Sequence, residues 1–377
     1  MTPAELDTLF GGLRRFPDVE ADNLQAHDAT DRLLLETAAA YVRGPETRVA
    51  IIGDRYGALT LGALAFLGVE HVRVTQDLYS GRLALQRNAE ASGLAGRFAQ
   101  LELGRGLLDG VELVITQLPK SLAELEEIAD AVARSGAPEA VLLAGGRVKH
   151  MSLGMNAVLE RSFASVQPQL AQRKSRILLA EGLRRPSGGE PFPVSERNSE
   201  LGITVCAHGA AFAGTKLDIG TRFLLRFLDR IPAAEHVVDL GCGTGILATM
   251  YARTHPTARV TATDQSAAAV ASARATADAN SLGDRIAVVH DDAMSSFEPG
   301  SADLILLNPP FHLGASVHAG AAIKMFEAAS RVLAPGGELW TVYNSHLQYR
   351  AELERLIGPC TEIGRNPKFT VMRSAKR

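Results

Sequence analysis

Val237-Val238-Asp239-Leu240-Gly241-Cys242-Gly243-Thr244-Gly245, followed by Ile246-Leu247-Ala248-Thr249-Met250, reads as a strand, a tight glycine turn and the start of a helix. These are the elements of a nucleotide-type site in an α/β fold. The glycine spacing separates two kinds of ligand. A dinucleotide fingerprint requires glycine or alanine at 246, where Ile246 stands. The glycines here fall at alternate positions instead, and an acid, Asp239, closes the strand before them. A carboxylate repels a pyrophosphate and attracts a cationic amino-acid group. S-adenosylmethionine carries an ammonium and a sulfonium and no phosphate, so the loop favours that cofactor over NAD.

Further acids follow in an order that supports this choice. Arg259-Val260-Thr261-Ala262-Thr263 reads as the next strand and Asp264 ends it, where a carboxylate can accept both ribose hydroxyls. Ile286-Ala287-Val288-Val289 then leads into Asp291-Asp292-Ala293. One of these acids, Asp292 by preference, is placed to accept from the adenine amine, with the Ala293 N–H against the ring. Asp303-Leu304-Ile305-Leu306-Leu307 reads as a buried strand, and Asn308-Pro309-Pro310-Phe311 lies where it leaves the sheet. Ligands of open α/β sheets bind outside the carboxyl ends of strands. Asn308 offers a side-chain carbonyl there, Pro309 a main-chain carbonyl without an N–H, and Phe311 an aromatic face. Two acceptors on a stiff backbone suit the hydrogens of a planar exocyclic amine. His312 reads as a turn histidine and Cys242 as a small residue filling the glycine turn.

The remaining composition is that of an ordinary globular enzyme. The chain has 377 residues, 46% hydrophobic and 21% charged, enough for two cores. No apolar run is long enough for a transmembrane helix, and no signal peptide is evident, which sets the expectation of a cytoplasmic protein. The three cysteines, Cys206, Cys242 and Cys360, have neither metal-ligand nor disulfide spacing, so no metal is expected. A net charge of −3 leaves nucleic-acid binding to local patches. One candidate is Arg173, Lys174, Arg176, Arg184 and Arg185; the other is the tail with Arg365, Lys368, Arg373, Lys376 and Arg377.

The chain also repeats itself. Arg48-Val49-Ala50-Ile51-Ile52-Gly53-Asp54-Arg55-Tyr56-Gly57 resembles the strand and loop ending at Gly245, and Val72 to Asp77 resembles the strand ending at Asp264. Glu112-Leu113-Val114-Ile115-Thr116 precedes Gln117-Leu118-Pro119-Lys120 where the later copy has Asn-Pro-Pro-Phe. A nearly constant offset of about 190 residues marks a duplicated βαβ domain. The first copy lacks the alternating glycines, Arg55 and Tyr56 crowd its loop, and its last motif has lost the Asn. The expected organisation is a degenerate domain over residues 1–185, structural or RNA-binding, and a cofactor-binding domain over 194–377. Arg184 to Pro193, rich in Gly and Pro, lies at the boundary.

Phe212, Leu217-Asp218-Ile219-Gly220-Thr221, Asp239 to Gly245, Asp264, Asp291-Asp292-Ala293 and Asn308 to His312 together resemble the bacterial ribosomal RNA guanine-N2 methyltransferases. Asn344-Ser345-His346-Leu347-Gln348-Tyr349, Ile357 to Cys360, Asn366 to Val371 and Gly53 to Leu59 are similar to the large-subunit branch. The resemblance spans nearly the whole chain; Ala213 departs from it, standing where the family commonly has Ser. It implies two tandem Rossmann-like class I methyltransferase domains with doubly wound, mostly parallel sheets, the second binding S-adenosylmethionine. It also implies methylation of the N2 of a guanine in ribosomal RNA, 23S in this branch. Asp239, Gly241, Gly243, Gly245, Asp264, Asp292, Ala293 and Asn308 would then hold the cofactor, and Asn308, Pro309 and Phe311 the target base, extruded from its stack. The alternatives are a 16S target, adenine-N6 or protein glutamine-N5 methylation, and a non-catalytic RNA-binding assembly protein. With two such domains in one chain, a monomer is expected.

Overall fold

The protein is described by a computed structural model over residues 3–21, 23–310 and 315–377. It divides into two compact units, Met1–Phe192 and Pro193–Arg377.

The first unit contains helices α1 (Pro3–Gly12) and α2 (Ala29–Ala38), strand β1 (Val49–Ile52), helix α3 (Ala58–Gly62), β2 (Val72–Thr75), α4 (Tyr79–Ala91), β3 (Phe98–Gln100), α5 (Arg105–Leu108), β4 (Leu113–Gln117), α6 (Leu122–Ser135), β5 (Val141–Arg147), α7 (Leu153–Ser162), β6 (Phe163–Pro168) and β7 (Ser175–Leu183). Its seven-stranded sheet has the order β3-β2-β1-β4-β5-β7-β6. Strands β1 to β5 run parallel and β7 is antiparallel to both its neighbours. A central parallel strand is covered by helices on both faces and so is apolar throughout. β1, Val-Ala-Ile-Ile, is buried at every residue.

The second unit opens with a hairpin of β8 (Val194–Asn198) and β9 (Ile203–Ala207) that sequence reading did not identify. Then come α8 (Ile219–Leu225), β10 (His236–Leu240), α9 (Ile246–Thr254), β11 (Arg259–Asp264), α10 (Ala267–Ala279), β12 (Ile286–His290), β13 (Ala302–Leu307), α11 (Ala315–Val332), β14 (Leu333–Asn344), α12 (Arg350–Leu356), β15 (Cys360–Arg365) and β16 (Phe369–Ala375). The sheet order is β12-β11-β10-β13-β14-β16-β15, the same as in the first unit. The edge strand β9 has amides to satisfy, and α10 satisfies them. Thr204, Cys206 and His208 donate their N–H groups to Asn280 Oδ1, Thr276 Oγ1 and Ser272 Oγ at 3.0, 2.9 and 2.9 Å. Acceptors four residues apart lie on one helix face, and this stripe pins the hairpin to the Rossmann-like body.

One hydrogen bond aligns the two copies residue by residue. Gly53 N–H donates to Thr75 O at 3.0 Å, and Gly241 N–H to Thr263 O at 2.8 Å. Four residues later Gly57 and Gly245 precede α3 and α9 with φ of 103° and 76°. Ile51 therefore stands where the second unit has Asp239, Arg55 where it has Gly243, and Gln76 where it has Asp264. Asp77, matched with Asp264 by sequence, falls one place beyond. Across the sheet Ile52 pairs with Thr116 and Leu240 with Leu307, which sets Gln117 in the place of Asn308.

Candidate active site

The glycine turn is closed from within. Gly241 and Cys242 both donate to Thr263 O. Asp239 Oδ2 accepts from Ala248 N–H at 2.9 Å, tying the strand end to the first turn of α9. Asp239 Oδ1 is buried and has no partner among the described residues. Burial pushes this carboxyl up to about 7; the Ala248 N–H opposes the rise and the neighbouring Asp264 adds to it. Gly245 has to be glycine on two counts. Its φ is 76°, and a Cβ would lie 3.0 Å from Ala273 Cα and Cβ on α10. At Gly243, with φ 53°, a Cβ would meet no protein atom within 4 Å. Its N–H donates to Asp264 Oδ2 at 3.0 Å, and Asp264 Oδ1 accepts from Ser266 N–H at 3.0 Å. The backbone at 243 thus faces open space, with a carboxylate fixed beside it. Cys242 is a buried filler whose thiol is pushed well up, by burial first and by Asp264 and Asp239 next.

The two adjacent acids after β12 have different environments. Asp291 is 2% exposed and accepts from the hydroxyls and N–H groups of Ser295 and Ser296. Burial raises its pKa, but those bonds outweigh it and hold the carboxyl below its ordinary value. Asp292 is the acid that remains partly exposed, paired with Lys324. Ala293 and Met294 have φ of 52° and 55°, a turn that sets Met294 in the core.

Asn308 follows β13 directly, at the carboxyl edge of the sheet. Its Nδ2 donates to Asp218 Oδ2 and to Thr221 Oγ1, both at 2.9 Å. Its Oδ1 is buried without a partner among the described residues. Pro309 is buried as well. Phe311 and His312 lie outside the described residues. Asp218 caps α8, Oδ2 accepting from the N–H groups of Gly220 and Thr221 at 2.9 and 3.0 Å. Sequence reading quoted Asp218 and Thr221 as family markers and gave them no role. An Asp followed by a helix two turns long, with Thr at the third helical position, was the available signal.

The first unit fills the corresponding place with its own side chains. Asp54 is buried and accepts from the N–H groups of Gly57, Leu59 and Thr60 at 3.1, 3.3 and 2.7 Å. Tyr56 is 8% exposed, its hydroxyl donating to Asp18 at 2.5 Å under the Arg15 guanidinium. Gln117 Nε2 donates to Asp31. Arg184 and Arg185, grouped by sequence with a basic cluster, are exposed and also cap helices. Arg184 donates to Glu160 O, and Arg185 to the carbonyls of Ala133, Arg134 and Gly136. Among the described residues no group of three or more His, Cys, Asp or Glu could hold a metal, and no helix is long and apolar enough to cross a membrane.

Paired sheets of this order, with a glycine loop and an Asn-Pro-Pro turn on the second, define the Rossmann-like methyltransferase class. Two family profiles match: the RLMG N-terminal domain over residues 1–183 and the methyltransferase small domain over residues 202–373. The ribosomal RNA large subunit methyltransferase G of Pseudomonas paraeruginosa is 37% identical, the match covering 99% of this chain and 98% of that protein. The protein of the same name from Streptomyces avermitilis is 36% identical, with 97% of each chain covered. The chain belongs to the ribosomal RNA large subunit methyltransferase G family. Among solved structures, the T. thermophilus 16S rRNA N2 G1207 methyltransferase (RsmC), in complex with AdoMet and guanosine, shares the fold. Its TM-score is 0.73 at 22% identity, over 93% of this chain and 92% of that one.

Proposed function

We propose that the second unit binds S-adenosylmethionine and that the protein methylates the exocyclic N2 of a guanine in large-subunit ribosomal RNA. The observation that carries this reading is that Asp239 and Asn308, at the carboxyl edge of one sheet, each keep a buried oxygen, Oδ1, with no partner among the described residues. Buried polar atoms without partners are rare and call for a ligand or a catalytic use. The residues fit the cofactor. Gly243 leaves room at the loop, Asp239 supplies negative potential for an ammonium, and Asp264 is placed for the ribose hydroxyls. Asp292 and the Ala293 N–H take the adenine.

When bound, the cofactor supplies a methyl group on a sulfonium, already activated for transfer. The chain's own part is placement. Asn308 Oδ1 and the Pro309 carbonyl accept the two amine hydrogens, which draws the nitrogen toward tetrahedral geometry and frees its lone pair from the ring. Orientation of this kind can lower a barrier by about 7–11 kcal/mol. Once methylated, the nitrogen carries a positive charge and is a strong acid, so its extra proton leaves to water without a dedicated base and the neutral amine remains.

The same two acceptors would suit adenine N6 or a glutamine amide; the whole-length likeness to large-subunit methyltransferases favours guanine in that RNA. The test is methyl transfer from labelled S-adenosylmethionine to protein-free large-subunit rRNA, protein-free small-subunit rRNA and intact subunits, with nucleoside analysis. N2-methylguanosine in large-subunit rRNA is the expected product. The same nucleoside confined to small-subunit rRNA would move the target, and N6-methyladenosine would overturn the acceptor.

A further inference from the structure

The side chain of Asn308 has two ends of similar shape and opposite hydrogen-bonding character. Only one of them can accept a hydrogen from an amine. An amide free to rotate would present its NH2 group to the substrate for part of the time, and two donors facing each other repel. Its surroundings settle which end is presented. A carboxylate accepts and does not donate, so the edge of Asn308 that meets Asp218 Oδ2 at 2.9 Å is the NH2 edge. Thr221 Oγ1 takes the second amide hydrogen at 2.9 Å. With both hydrogens engaged, Oδ1 is the end left over, buried and without a partner among the described residues.

The two acceptors are themselves fixed. Asp218 Oδ2 is tied to the N–H groups of Gly220 and Thr221 in the first turn of α8. That helix is anchored by Phe223 and Leu224, which are 7% and 0% exposed. Gly220 completes the arrangement. A Cβ there would stand 3.0 Å from Asn308 Oδ1 and 3.3 Å from Nδ2, so any side chain would crowd the amide.

We infer that Asp218 and Thr221 are positioning residues that lock the Asn308 amide with Oδ1 presented to the substrate amine. The inference rests on the proposed reaction for its kinetic consequence and on geometry alone for the lock. The first unit keeps a version of the same contact, Gln117 Nε2 on Asp31 at the head of α2, so the tie between this helix and this strand end belongs to both copies. In the second unit it leaves Asn308 Oδ1 buried without a partner among the described residues.

The full chain is compared as wild type, Asp218→Ser, Thr221→Val and Thr221→Ser. Ser caps a helix about as well as Asp, so Asp218→Ser retains α8. Its hydroxyl oxygen sits one bond closer to the backbone and can donate as well as accept, which withdraws the fixed acceptor from Asn308 and releases the amide to flip. Turnover on large-subunit rRNA is expected to fall about 10- to 100-fold, as small losses of reactive geometry do, with the Kd for S-adenosylmethionine unchanged. Thr221→Val should lose less and Thr221→Ser should restore the wild-type kcat. Wild-type kcat in Asp218→Ser would overturn the inference, and so would a loss confined to cofactor affinity. Should the wild type modify no guanine, the proposed function has failed, and the lock is decided by hydrogen exchange of the 15N-labelled Asn308 side chain. Protected amide hydrogens that become labile in Asp218→Ser support it. Exchange as fast as that of an exposed Asn in the wild type overturns it.

Discussion

Two sheets of identical strand order differ at four matched positions: Asp239, Gly243, Asp264 and Asn308 in the second unit, and Ile51, Arg55, Gln76 and Gln117 in the first. The difference lies in where the polar groups of the loop are satisfied. In the first unit Asp54 takes three N–H groups of the loop and helix start, Tyr56 closes onto Asp18, and Ile51 removes the need for a partner at the strand end. In the second, the backbone at Gly243 is left facing open space, and two carboxyl or carboxamide oxygens have no partner among the described residues. A Rossmann-like frame survives either solution, because its core is set by apolar strands packed under helices. Ligand binding depends on the few groups that folding leaves unmatched. The first unit is not free of such atoms: Gln100 Oε1 is buried without a partner among the described residues, and so is the Gln76 amide at both ends, which nothing in the structure explains.

The comparison breaks most sharply at the strand end. Asn308→Ala should lower methyl transfer at least about 100-fold, the scale seen when one preorganised hydrogen-bonding group is removed from an active site. Gln117→Ala, its counterpart, should leave turnover unchanged and lower stability by about 1 kcal/mol. Turnover and denaturant titration measure the two, and full activity in Asn308→Ala would end the distinction between the units.

A smaller effect is expected at the loop. Gly243→Ala carries about 1 kcal/mol of backbone cost at its left-handed φ and places a methyl in the space assigned to the cofactor, so affinity should weaken about tenfold. The reverse exchange, Arg55→Gly, should create no second site, because Asp54 and Tyr56 remain in place. Calorimetric titration of both variants checks this, and cofactor binding by the first unit of Arg55→Gly would contradict it.

The smallest effect is a pH dependence. Asp239 in the folded apo protein holds its proton up to about 7, whereas the unfolded chain releases it in the ordinary carboxylate range. The folded state therefore binds more protons between those limits, and stability contributed by the neutral form is lost as pH rises through 7. Cofactor affinity should run the other way, rising as pH passes 7, because the ammonium favours the ionised carboxylate. Asp239→Asn should flatten both profiles; an unchanged affinity profile in that variant would remove Asp239 from the cofactor's surroundings.

The fold was legible because it rests on periodic and local signals. Apolar runs such as Leu304 to Leu307, alternate glycines and the spacing of the repeat identify parallel strands, a turn and a duplication without any tertiary information. The hairpin of β8 and β9 was not read, since Glu196, Arg197 and Asn198 give it no apolar alternation and its second strand is held by α10 hydroxyl and amide groups distant in sequence. The same limit explains Asp77, set opposite Asp264 until strand register moved Gln76 into that place. It also explains Arg184 and Arg185, whose contacts with helix-end carbonyls could not be read from the sequence. Asp218 and Thr221 were visible as a capping pattern, but their contact with Asn308, far along the chain, depends on how α8 packs against the sheet.

Calorimetric titration of the full chain with S-adenosylmethionine, alone and as Asp264→Ala, tests the asymmetry of the two units most directly. One equivalent bound per chain in the wild type, and binding abolished in the variant, is the expected result. Two equivalents per chain, or one that survives Asp264→Ala, would contradict it and restore a cofactor role to the first unit.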